Sequence, residues 1–210
     1  MISYALDAIQ KSGLFDVVHV STDSSRICET VGSLGFPVDF LRPAELADDY
    51  TPIMPVLKYV CNEYKARGVE FDQVWMITPT SPFLEPRDLL AASALINQGQ
   101  RKAPLLAVSE YQAPIEWAFR LSVDGALHPL QAGMFSVRSQ DIEPKYFDVG
   151  SFAAFPVQHV LDSEEAGSDS DFIGIVLPKY KAIDIDTPDD WELAEALYLG
   201  LQIQKHKSND

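Results

Sequence analysis

The chain has 210 residues, with 31 acidic side chains against 16 lysines and arginines and a formal charge of −15. Its 47% hydrophobic content is that of a folded globular protein, and the length fits one large domain whose core needs no staples. Residues 106–210 hold 18 acids and 7 bases (−11) while residues 1–105 hold 13 and 9 (−4), a balance opposed to the basic face required by a nucleic-acid binder or by docking on anionic membranes.

Ile2, Ala5, Leu6 and Ile9 recur at helical spacing and Gly13 follows, so the chain opens on an amphipathic helix with a glycine stop. Residues 16–21 read as a short buried strand. Ser21, Thr22, Asp23 and Ser24 then supply cap chemistry for a helix carrying Ile27, Val31 and Leu34, closed by Gly35. Residues 37–41 read as a second strand. Thr51 and Pro52 start a helix through Ile53, Val56, Leu57, Val60 and Tyr64 towards Gly68. Residues 74–77 form a third strand, 79–82 a turn, 86–97 a helix and 105–108 a fourth strand. Further strands are expected at 173–177 and 182–185, and a last long helix starts at Thr187 and Pro188.

Short apolar strands alternating with helices predict an α/β fold with a doubly wound, mostly parallel sheet. Residues 110–160 are less periodic and richer in turn residues, and are expected to form an insertion or interface arm outside that sheet. The run 162–171, with five acids and no base, reads as a solvated loop, and residues 205–210 as a frayed tail. Such a domain ordinarily begins with a strand, whereas this chain begins with a helix, so an upstream strand is expected.

Two cysteines, Cys28 and Cys61, lack the spacing of a zinc site or a disulfide framework and read as buried reduced thiols. No apolar stretch approaches the roughly 18 residues of a membrane span, and the N-terminus has no signal-type pattern. A cytoplasmic protein is expected. The four histidines, His19, His128, His159 and His206, have no ligand spacing. The elbow, zinc-protease, dinucleotide and P-loop motifs are all missing.

Ligands in open parallel sheets bind beyond the carboxyl ends of the strands. Four stretches fall there: Ser21 to Asp23, Leu41 to Pro43, Thr78 to Pro82, and the run Asp184, Ile185, Asp186. In a strand, residues i and i+2 point to one side, so Asp184 and Asp186 can offer two hard oxygen ligands to a Mg²⁺ ion carrying phosphates. The same residues also fit plain helix-cap electrostatics before Thr187. Arg42 fits an anion contact, or a surface pair with Glu45 or Asp48. Thr80 and Ser81 fit donors to a phosphate or base edge, or an ordinary capped turn. Asp23 fits a helix cap.

The segments Met1 to Ala8, Ser12 to Asp16, Val20 to Asp23, RPAELADDY at 42–50 and DIDTPDDW at 184–191 together resemble the acylneuraminate cytidylyltransferase family, over residues 1 to about 200. Ser139 to Asp141, Tyr146 to Gly150 and Leu177 to Tyr180 resemble its pseudaminic acid branch. The resemblance implies a nucleotide-diphospho-sugar transferase (Rossmann-like) fold, with residues 1–204 as one domain and 110–160 as a dimerisation and sugar-site segment. It implies transfer of CMP from CTP to a nine-carbon acidic sugar in a homodimer, feeding surface glycan synthesis. Under it Asp184 and Asp186 are catalytic and hold Mg²⁺; Asp23, Arg42, Thr78, Ser81, Gln140, Asp148 and Ser151 bind substrates. It also implies a strand and a basic, glycine-containing phosphate loop ahead of Met1.

Three positions depart from the family pattern. Phe147 stands where a polar residue is common, Ser151 where the branch has glutamine, and Thr78 where the neuraminate branch has glutamine. Neuraminate or legionaminate transfer is the rival chemistry, and a noncatalytic sugar-nucleotide-fold binding protein the rival class. For acidic substrates the cationic candidates are Arg42, Arg138, Lys179 and Lys181.

Overall fold

The computed structural model describes residues 1–99, 103–164 and 171–207. Helix α1 (Ile2–Ser12) buries Ala5, Leu6, Ala8 and Ile9, as its period requires, and stops at Gly13, whose left-handed φ of 63° no β-branched residue would adopt cheaply. Helix α2 (Ser25–Ser33) buries only Val31. Helix α3 (Ile53–Ala66) starts after Pro52 and buries Met54, Val56, Leu57, Cys61 and Tyr64. Then come β1 (Gln73–Ile77), α4 (Pro86–Gln98), β2 (Leu105–Glu110), the small hairpin β3 (Phe119–Leu121) and β4 (Leu127–Pro129), β5 (Tyr146–Pro156), α5 (Val157–Asp162), β6 (Ile173–Val176) and α6 (Pro188–Lys207).

The main sheet has the order β1-β5-β2-β6. The expected parallel pairing is present between β2 and β6, while β5 runs antiparallel to both of its neighbours. Part of the stretch expected as an insertion thus lies at the centre of the sheet: residues 111–142 stand outside it, but 146–156 do not. The reason is visible in the pattern of β5. Phe152 and Ala154 pack into one core with α1 and α4, and Ala153 and Phe155 into a second with α3 and α5. A strand apolar on both faces must be covered on both faces.

Residues 16–21, 37–41 and 182–185, expected as strands, are extended or irregular but join no ladder. A strand exists only where a second backbone lies within hydrogen-bonding distance. The outer edge of β1 and residues 17–21 instead flank a cavity of about 370 Å³, lined also by α1 and α3. Aromatic contacts hold these segments in place. The His19 ring stacks on Phe40 at 4.2 Å and meets Tyr64 edge-on, the Tyr64 hydroxyl donates to Asp39 at 2.5 Å, and Arg67 lies over Phe40. Both His19 nitrogens are buried without a partner among the described residues, and burial pushes its pKa down, in keeping with a structural ring.

Both thiols are free, but only Cys61 is buried and Cys28 is half-buried. The helix α6 runs to Lys207, past the expected onset of fraying at 205. Most of the acidic run 162–171, like residues 208–210, lies outside the described residues. Among the described residues no helix is long and apolar enough to cross a membrane.

Candidate functional site

The site grows out of an irregularity in β5. Leu106 pairs with Ala153 and Val108 with Asp148, so one residue of β2 spans residues 149–152 of β5. The bulge turns at Gly150, whose φ is 67°, and Asp148 Oδ1 holds the turn by accepting the Gly150 N–H at 2.8 Å. Two carbonyls freed there are taken by Thr78, just past the end of β1. Its N–H donates to the Ser151 carbonyl at 3.0 Å and its hydroxyl to the Gly150 carbonyl at 2.8 Å. The Ser81 hydroxyl lies 2.8 Å from that of Thr78. Ser151 Oγ is buried beside them with no partner among the described residues.

Asp184 closes the cluster, for its Oδ2 would lie 3.9 Å from a Cβ at Gly150. Burial raises the pKa of Asp184; the charge of Asp186 raises it further, and those of Asp190 and Asp148 add to this against a bond from the Ile185 amide. Such mutual repulsion among carboxylates is what a divalent cation relieves. The helix cap does not need these groups. Asp190 accepts the Thr187 amide (2.8 Å) and hydroxyl (2.7 Å), and Thr187 Oγ1 accepts the Asp190 amide at 3.3 Å, a reciprocal cap that holds Asp190 below the usual carboxylate range. The Asp186 carboxylate accepts no hydrogen bond among the described residues, so it takes no part in the hydrogen-bonded cap.

The donor set is all oxygen, which suits Mg²⁺. No group of three or more His, Cys, Asp or Glu side chains among the described residues is arranged to hold a metal by itself. Two carboxylates completed by substrate phosphates is the arrangement this ion ordinarily takes, so the residues present fit it.

Thr78, Ser81, Asp148, Ser151 and Asp184 come together here, and the charge of Asp186 acts on Asp184. Arg42 shares the lining of the β1 cavity with Ser21 and Thr78. Its Nη2 and Nε donate to the carbonyl (2.6 Å) and hydroxyl (3.1 Å) of Ser21, leaving its charge without a carboxylate partner among the described residues. The body of that cavity is apolar and suits packed chain better than a triphosphate. Asp23 is exposed on the neighbouring loop. Gln140 is exposed on the 111–142 arm, and no hydrogen bond or ion pair joins either side chain to the cluster.

The other cationic candidates are spent internally. Arg138 pairs with Asp141, Lys179 with Glu110, and Lys181 with Glu85 and Asp88. Phe147 is half-buried against Tyr111 and packs on the core, which explains an apolar residue there. Sequence reasoning placed the Thr187 cap but missed Gly150; the signal was a glycine two residues after an aspartate.

One carboxylate of the Lys181 group carries a pH prediction. Burial disfavours the charged form of Glu85, but hydrogen bonds from Lys181 and Arg87, with their charges, outweigh it and hold its pKa at about 2. A carboxylate depressed on folding adds stability above its unfolded pKa of about 4.3 and loses it as pH falls towards the folded value. The melting temperature of Glu85→Gln should therefore lie below that of the unsubstituted protein at pH 6, with the gap closing between pH 4 and pH 2. A gap that persists at pH 2 rejects the assignment.

The chain is 30% identical to pseudaminic acid cytidylyltransferase of Campylobacter jejuni serotype O:2, over 94% of this chain and 84% of that one. It is 27% identical to the CMP-N,N'-diacetyllegionaminic acid synthase of Legionella pneumophila, with the same coverage. Among solved structures, a CMP:2-keto-3-deoxy-manno-octonic acid synthetase complexed with CTP superposes with a TM-score of 0.63 at 15% identity, over 95% of this chain and 87% of that one. A 4-diphosphocytidyl-2C-methyl-D-erythritol synthase from Anaerococcus prevotii superposes at 0.58 and 12%, over 95% and 88%. These two share the fold. The family profile described as Cytidylyltransferase matches residues 1–123, more than half the length, and on these grounds the chain belongs to the cytidylyltransferase family.

Proposed function

We propose that this protein transfers CMP from CTP to a nonulosonic acid of the pseudaminic type, as a Mg²⁺-dependent cytoplasmic homodimer serving surface glycan synthesis. The observation that carries the reading is the pair Asp184 and Asp186, two residues apart, with Asp184 Oδ2 set beside Gly150 in the hydroxyl and carbonyl cluster of Thr78 and Ser81. The likeness to the two bacterial synthases above supports the sugar class.

In the reaction the anomeric hydroxyl of the sugar attacks the α-phosphorus of CTP, the bond from that phosphorus to the oxygen bridging to the β-phosphate breaks, pyrophosphate leaves with the electron pair, and the hydroxyl proton passes to solvent. Mg²⁺, when bound, neutralises charge on the phosphate oxygens. Asp184 and Asp186 hold it, Thr78 and Ser81 shape the turn against which the nucleotide lies, and Arg42 offers a positive charge at the carboxyl end of β1. The protein's contribution is position and charge, as in other phosphoryl transfers. Pyrophosphate release from CTP and Mg²⁺ with a panel of nonulosonic acids tests it. Release with the pseudaminic acid is expected; release only with neuraminic or legionaminic acid moves the substrate assignment, and none with any sugar favours the binding-protein class.

The homodimer reading rests on the 111–142 arm. There, among the described residues, β3 pairs only with β4, and the arm exposes Leu121 (68%), Leu127, Leu130 and Phe135 (75%). Apolar groups gathered on one projecting arm mark an association surface. Sedimentation should give a dimer that Leu121→Asp with Phe135→Asp converts to a folded monomer; a monomeric unsubstituted protein rejects the reading.

A further inference from the structure

Lys181 is the most enclosed charged side chain in the neighbourhood of the site, 3% exposed. Its Nζ donates to Asp88 Oδ2 at 2.5 Å and to Glu85 Oε2 at 2.7 Å. Those two acids belong to the reciprocal cap of α4, where Asp88 Oδ2 also accepts the Glu85 amide at 2.9 Å. A buried ammonium between two carboxylates is directional and costly to break, so it ties together whatever backbone carries its members. The α4 cap follows directly on the turn that bears Thr78 and Ser81. Lys181 ends the 3-10 turn Lys179–Lys181, three residues ahead of Asp184 in a stretch with no ladder of its own.

The stretch from Ala182 to Asp186 is thus held at both ends by polar clamps. Lys181 holds the first, and the Thr187 and Asp190 cap holds the second. We infer that Lys181 is a positioning residue, which sets the Asp184 and Asp186 carboxylates against the Thr78 and Ser81 turn by pinning one segment to the α4 cap. Its charge is committed to Glu85 and Asp88, so it acts through the backbone and not on phosphate. The inference rests on the reading of Asp184 and Asp186 as the metal-holding pair only for its consequence; the pinning itself is separately measurable.

Lys181→Met alone leaves the buried Asp88 carboxylate without its cation and is open to misfolding. The informative variant is Lys181→Met combined with Glu85→Gln and Asp88→Asn, which removes the ammonium and both carboxylates at similar volume; Lys181→Arg serves as the rescue. Two readouts are needed: hydrogen exchange of the amides at 182–187, and Mn²⁺ binding in the presence of CTP, followed through the free-ion spin-resonance signal. In the triple variant, exchange at 182–187 should quicken about tenfold or more while that of β5 stays unchanged, and Mn²⁺ should bind roughly five- to tenfold more weakly, a difference of about 1 kcal/mol in binding free energy. Lys181→Arg should restore both. Unchanged exchange at 182–187 in a folded triple variant overturns the inference, as does quickening spread evenly over the whole chain. Quickened local exchange in a protein that binds no Mn²⁺ even unsubstituted keeps the pinning and rejects the metal reading instead.

Discussion

Asp186→Asn is expected to lower CMP transfer on the order of a hundredfold at limiting Mg²⁺, the scale of losing one ligand that neutralises transition-state charge. Much of the loss should be recovered at saturating Mg²⁺. Asp184→Asn should lose similar activity with the opposite sign in stability. Burial and the negative charges of Asp186, Asp190 and Asp148 disfavour its charged form, so removing its charge should leave the melting temperature equal or higher. A group that is costly to the free protein and necessary to turnover is the signature of a ligand site. Equal rates for both variants and the unsubstituted enzyme at limiting Mg²⁺ would remove these residues from the metal-holding role. A loss of activity that tracks a loss of folding would do the same.

Phe152→Ala is expected to be the most destabilising single replacement in the core. Phe152 is 1% exposed, stacks on Trp75 with ring centroids 6.0 Å apart, and sits where β5 passes from its bulge into the ladder with β1. Truncating a buried Phe costs about 3–5 kcal/mol, which for a domain of this size lowers the melting temperature by about 10 °C. Because Ile77 pairs with Phe152 and Thr78 with Ser151, slackening here reaches the site at its hinge. CTP-dependent thermal stabilisation should therefore shrink as well. Thermal melts with and without CTP measure both effects, and a drop under 2 °C would show that the core collapses around the gap.

The helices α1, α3, α4 and α6 and the strands β1, β2 and β6 were all legible in the sequence. The signals for them are local: a 3.6-residue apolar period, a proline or cap at one end, a glycine at the other, or a short continuous run of branched residues. The candidate site residues could be nominated from the sequence, because RPAELADDY and DIDTPDDW are long enough to be specific and because Asp184 and Asp186 stand only two residues apart. Arg42 and Thr78 needed only their places after predicted strands.

Other features depend on contacts between segments far apart in the chain. Whether residues 16–21, 37–41 and 182–185 count as strands is decided by the distance to another backbone, and the cavity beside β1 denies it to the first of them. That β5 rather than a parallel strand occupies the middle of the sheet follows from two cores claiming alternate residues of 152–155, which no window of sequence displays. Gly150 and Ser151 enter the site through carbonyls exposed by a register shift, and a register belongs to a pair of strands. Lys181 read as a cation for phosphate until the fold placed it between Glu85 and Asp88. The sequence by itself determined which residues could do the chemistry and where helices begin and end, since those depend on neighbours within a few positions. Only the tertiary structure decided which carboxylates stay free and which charges are already matched, because electrostatics acts through space and not along the chain.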